Sequence, residues 1–288
     1  MTSRATPEAV RAIMRRQHVL NSREKLNILT FCTHERYEQQ LCKTGHNFYA
    51  IGHGKKWDKD YGEIPENYSE IDSVPPSHVD IDLVLCHTPC ERLAISQRIK
   101  QDLNVPVILH NHVLPDIRTD TSLQIQQLQE VSSWVDQRSF ISEFNRDAWG
   151  CNESNAEYIE HGIDCDFWME PEEVERDNAC LSVVNDWPNR DWCCGWELWK
   201  GTTQELPVRV LMEAMACGCA IVSTETCMIP DIIQHGENGL MSNDPDTLRS
   251  MLKTLLEDPD MAHSLGQNAQ KTIREKYNIT QFTENWNN

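Results

Sequence analysis

Residues 204–240 read Q-E-L-P-V-R-V-L-M-E-A-M-A-C-G-C-A-I-V-S-T-E-T-C-M-I-P-D-I-I-Q-H-G-E-N-G-L, and the fold turns on what these residues can form. Pro207 suits the first turn of a helix, where its missing N–H costs nothing. Gly218 suits the left-handed position just past a helix end. Between them Val208, Leu211, Met212 and Met215 recur at i, i+3, i+4 and i+7, which predicts a helix with one apolar face packed on a sheet. Cys219 to Thr224 is a short apolar run with Ile221 and Val222, predicting a buried parallel strand. A second short helix follows the strand.

Two acids frame the unit, Glu205 in the loop before the helix and Glu213 within it, with seven residues between them. The first amides of a helix have no partner inside it, so those donors and the helix dipole both favour a phosphate there. Carboxylates nearby accept hydrogen bonds from sugar hydroxyls, as an acid does from ribose in dinucleotide sites. Together the parts describe a nucleotide-sugar cradle. The plainer alternative is two solvated helix acids.

E-x7-E, then E-A-M-A-C-G-C-A-I-V-S-T and I-P-D-I-I-Q-H-G-E-N-G-L, resembles the donor-site signature of the retaining GT-B glycosyltransferases of group 1, the family 4-like enzymes. The resemblance implies an α/β fold of two Rossmann-like lobes with parallel sheets. It also implies roles for residues. Glu205 would contact hydroxyls of the transferred sugar, the backbone amides from Leu206 onward would hold the diphosphate, and Glu213 would take the nucleotide ribose. No cofactor is expected, because a nucleoside diphosphate sugar enters as the donor substrate.

Composition limits the partners. The chain has 288 residues, 39% hydrophobic content with nine Trp, and a formal net charge of −19. That suffices for cores and argues against global disorder. The acidity disfavours nucleic acid and anionic membrane surfaces as partners, although Arg4, Arg11, Arg15, Arg16, Arg23 and Lys25 make the N-terminal stretch basic. No run approaches a transmembrane segment and no signal-peptide core is present, which predicts a cytoplasmic protein. Twelve Cys in such a chain read as reduced thiols. Cys86 and Cys90 flank His87, but no pair of C-x2-C knuckles occurs, so no metal site is expected.

Residues 1–26 predict a helical N-terminal extension. Residues 27–168 predict a Rossmann-like acceptor lobe: strand Asn27–Cys32, helix Glu35–Lys43 closed by Gly45, and strand Phe48–Ile51. Residues 52–79 predict a long surface loop. Strands Ile81–Cys86 and Val105–Leu109 follow, the second emptying into His110-Asn111-His112. Strand carboxyl ends are where ligands sit in open α/β sheets. The resemblance puts a histidine there against the sugar, with His112 favoured by its spacing from Pro106 and His110 second. Trp134–Ser142 and Tyr158–Asp164 resemble the family's late strand and its crossover between lobes.

Residues 169–288 predict a second, shortened Rossmann-like lobe. Only about twenty residues separate the strand Leu181–Val184 from Glu205, whereas a βα step with its return strand takes roughly 30. Trp192, Trp196 and Trp199 fall on one helical stripe in that gap, a core or interface feature before a base-stacking one. Arg190 and Lys200 are the local cations that could face the diphosphate. Oligomers could form through the Trp stripe or the N-terminal extension. Asp244-Pro245 opens an amphipathic helix, and a helix from Pro259 to Tyr277 ends the fold.

The resulting expectation is a retaining glycosyltransferase that moves a sugar from a nucleoside diphosphate sugar to a hydroxyl acceptor. The alternative is a truncated, catalytically inert sugar-nucleotide-binding or scaffold protein.

Overall fold

A computed structural model describes residues 25–52, 56–72, 79–87, 90–116, 118–152, 156–168 and 212–288. Residues 1–24 of the N-terminal extension and the Trp stripe lie outside the described residues. The chain divides into two units, residues 1–160 with 283–288, and residues 161–282. The division falls between Glu160 and His161, inside the Tyr158–Asp164 stretch.

The first unit is built on seven parallel strands: β1 (Asn27–Phe31), β2 (Asn47–Ile51), β3 (Tyr68–Ile71), β4 (Leu83–His87), β5 (Val107–Asn111), β6 (Gln137–Phe140) and β7 (Ala156–Tyr158). Their order is β3-β2-β1-β4-β5-β6-β7. Helices α1 (Glu35–Cys42), α2 (Cys90–Leu103), α3 (Thr121–Val131) and α4 (Glu143–Ala148) lie between strands. Every residue of β4 is buried, as expected of a central parallel strand covered on both faces. Leu29, Phe31, Val84, Cys86, Val107, Leu109 and Phe140 form the core.

Two expectations change here. The loop foreseen over 52–79 contains a 3-10 turn, Lys59–Tyr61, and the edge strand β3. In β3 Tyr68 is buried and Ile71 packs partly buried against the core, while Ser69 and Glu70 are exposed. The fifth strand runs two residues later than predicted, which places His110 and Asn111 inside β5 rather than beyond it.

The second unit holds α5 (Met212–Ala216), β8 (Val222–Ser223), α6 (Ile229–Ile232), β9 (Leu240–Met241), α7 (Pro245–Glu257) and α8 (Pro259–Lys276). Strands β8 and β9 pair in parallel, shorter than the run Cys219–Thr224 implied. Asp244 caps α7 by accepting from the Thr247 amide, with Pro245 in the first turn. Leu248, Leu252 and Leu255 supply its buried face.

The fold does not end at Tyr277. A further helix, α9 (Ile279–Asn287), follows, and its last residues group with the first unit. Among the described residues no helix is long and apolar enough to cross a membrane.

Candidate functional site

In the first unit the carboxyl ends of the central strands carry polar side chains on one face. His87 of β4 pairs with His110 of β5, and His110 with Ser139 of β6. Residues in register across a sheet point to the same side. His110 Nδ1 lies 2.8 Å from Ser139 Oγ. His112, two residues beyond His110, returns to that face with its Nε2 2.7 Å from His87 Nδ1. Thr30 of β1 completes the row, its Oγ1 3.1 Å from His87 Nε2.

Aromatic rings flank this row. Tyr37 of α1 meets the His112 ring edge-on at 4.5 Å between centroids and stacks parallel to His110 at 5.9 Å. Trp286 of α9 meets the His110 ring at 5.1 Å. Helix α1 is aimed by its own start: His34 caps it by accepting from the Arg36 amide, and Glu38 reaches back to the Thr33 amide and hydroxyl.

Burial sets the electrostatics. It pushes the His87 imidazole well below the usual histidine range, with His112 and then Arg92 adding repulsion. Burial first, then the Glu38 charge, pushes the Tyr37 phenol up. The row therefore offers a neutral His87 and an un-ionised Tyr37, groups suited to hydroxyls rather than to ionic partners. Among the described residues no three His, Cys, Asp or Glu side chains are arranged to hold a metal ion.

Location strengthens the site. The direction in which strands are added reverses between β1 and β4. Ligands of open α/β sheets lie outside the carboxyl ends at such a switch, and Thr30 and His87 sit on its two strands. Beside it, a hollow with about 180 Å³ of empty space is lined by residues including Thr33, His34, Glu35, Trp57, Tyr68 and Glu70.

In the second unit backbone geometry dominates. Helix α5 ends in a Schellman motif: the Cys219 amide donates to Ala214 O and the Gly218 amide to Met215 O, both at 2.9 Å. Gly218 has φ +71°, the left-handed value its sequence position predicted. The H-G-E-N-G stretch is a turn built on Asn238, whose Oδ1 accepts from the Gln234 amide while its Nδ2 donates to Ile232 O and Thr272 Oγ1. Glu213 lies in the first turn of α5 and is partly buried.

Of the residues singled out from the sequence, His110 and His112 come together at the strand ends, and Glu213 lies in the second unit. Glu205, Leu206, Arg190 and Lys200 lie outside the described residues. Sequence reasoning passed over Thr30, Tyr37, His87, Ser139 and Trp286. A signal existed for one of them: His87 ends an apolar strand, L-V-L-C-H, as His110 ends V-I-L-H.

Comparison with known proteins bears on both units. Residues 208–272 match the family described as Glycosyl transferases group 1. N-acetyl-alpha-D-glucosaminyl L-malate synthase of Bacillus anthracis is 34% identical over 70 residues, 24% of this chain and 18% of that one. The chain thus spans less than a fifth of that relative's length. Among solved structures, Anabaena HepE in complex with UDP and glucose aligns with a TM-score of 0.68 at 10% identity, over 91% of this chain and 98% of that one. Sucrose-phosphate synthase of Thermosynechococcus elongatus aligns at 0.66 and 12%, over 91% and 97%. These likenesses establish the α/β fold of GT-B glycosyltransferase neighbours.

Proposed function

We propose that the chain transfers a sugar from a nucleoside diphosphate sugar to a hydroxyl-bearing acceptor with retention of configuration. The observation that carries this is the group 1 match over 208–272, which takes in Glu213 and the Schellman turn that ends its helix. HepE, which shares the fold, was crystallised with UDP and glucose.

The chemical difficulty of such a transfer is charge growing on the leaving diphosphate. Amides from Leu206 onward, with Arg190 or Lys200, would meet that charge with dipoles and cations already in place. Glu205 would hold the sugar hydroxyls and Glu213 the ribose. His112, with His110 behind it, would position the sugar. The hollow beside Trp57 has a ring and carboxylates to meet an acceptor's hydroxyls. Cys32, Cys42, Cys86, Cys151, Cys165, Cys217, Cys219 and Cys227 are free thiols, in keeping with a cytoplasmic setting.

Release of nucleoside diphosphate from a panel of nucleotide sugars tests the assignment. Wild-type protein should turn over at least one donor. Glu205→Ala should lose about a hundredfold in turnover with an unchanged unfolding midpoint. Equal turnover in the variant would overturn the role of Glu205, and binding without turnover would leave an inert sugar-nucleotide-binding protein.

A further inference from the structure

We infer that Thr30 and His87 act as positioning residues that hold His112 as its Nδ1–H tautomer, so that this ring presents a hydrogen-bond donor rather than an acceptor at Nδ1. Thr30 is fully buried, and among the described residues its hydroxyl has one hydrogen-bond partner, His87 Nε2 at 3.1 Å. A hydroxyl can donate or accept, but a buried O–H with no acceptor forfeits the bond it made with water. If His87 carried its proton on Nε2, two hydrogens would compete for that single contact and the Thr30 proton would be left over. The Thr30 hydroxyl therefore donates and Nε2 accepts.

One imidazole proton remains to be placed. His87 is fully buried, and a charged ring there would lie beside His112 and Arg92, so it stays neutral with a single N–H. With Nε2 accepting, that hydrogen is on Nδ1. Nδ1 is 2.7 Å from His112 Nε2 and donates to it. His112 Nε2 thus accepts, and a neutral His112 carries its own hydrogen on Nδ1. Imidazole side chains in water prefer the opposite tautomer, so the row reverses the ordinary preference.

The orientation of the ring is fixed by the same contacts. Tyr37 lies edge-on to it at 4.5 Å and His110 perpendicular to it at 4.5 Å. The use of the donor rests on the glycosyl-transfer proposal: an N–H fixed on Nδ1 has the polarity that a sugar oxygen accepts. The tautomer itself does not depend on that proposal.

Nitrogen-15 labelling of the histidines in the full chain, read by NMR at a pH above their titration, tests the inference. The wild type should show His112 with a protonated Nδ1 and a bare Nε2, and Thr30→Ser should keep that pattern. Thr30→Val, close in shape but lacking the hydroxyl, should release the constraint and shift His112 toward Nε2–H. An Nε2–H His112 in the wild type would overturn the inference, whether or not any variant folds. So would a pattern unchanged by Thr30→Val. Donor turnover is measured on the same samples: the expected tautomer in a protein that turns over no nucleotide sugar keeps the relay and removes the glycosyl-transfer reading.

Discussion

The two units place chemistry by different means. In the first, polar side chains stand at the ends of strands that are far apart in sequence, and the seven-stranded register brings Thr30, His87, His110 and Ser139 into one row. In the second, local backbone geometry does the placing: a left-handed Gly218 closes α5, and Asn238 ties a turn to α6 and α8. A row made by register tolerates changes in the turns between strands. A site made of turns tolerates almost none.

The largest expected effect breaks or sharpens that contrast. A methyl group at Gly266 of α8 would lie 2.0 Å from the Gly218 carbonyl oxygen, a backbone atom that cannot step aside. Gly266→Ala should cost about 3 kcal/mol, read from the urea midpoint. Gly45 of the first unit has nothing within 4 Å of the corresponding position and only its φ of +86° to object, so Gly45→Ala should cost about 1 kcal/mol. Equal costs would erase the distinction.

Next comes pH. Desolvation pushes the His161 imidazole of the second unit down to about 4 from its ordinary 6.5. Between those values the unfolded chain binds more protons than the folded one, so stability rises with pH. It should be complete above pH 6.5 and fall by roughly 3 kcal/mol as the pH drops to 4. Denaturation curves across that range should show the slope, and His161→Gln should flatten it.

The smallest effect concerns the Asp244 cap. The Thr247 hydroxyl and then its amide hold this carboxyl below its ordinary value. The cap's contribution is present at neutral pH and lost as the pH falls through the folded pKa. Asp244→Ala should lower the melting temperature slightly at pH 7, and the difference should vanish in acid.

Legibility in the sequence follows the same division. Gly218, the Asp244-Pro245 start, the apolar face of α7 and the extent of α8 were readable because caps, left-handed glycines and helical period are local. The strand-end row was readable only in part. His110 and His112 stood out beside each other, but His87 lies over twenty residues away and joins them through parallel pairing that no local pattern encodes. Strand β3 escaped notice because Tyr68 is its single buried residue. Helix α9 followed so closely on α8 that the end of one concealed the start of the next. Its cue was Phe282 and Trp286 at i and i+4, the first fully packed and the second against His110.

The central claim is that a nucleoside diphosphate is held by the segment that carries Glu213. Calorimetric titration of UDP, GDP and ADP into wild type and Glu213→Ala tests it directly. The account predicts heat from at least one nucleotide with wild type and an affinity about tenfold weaker in the variant, the loss of one charge-assisted hydrogen bond. No binding to wild type, or equal affinity in both proteins, would contradict it.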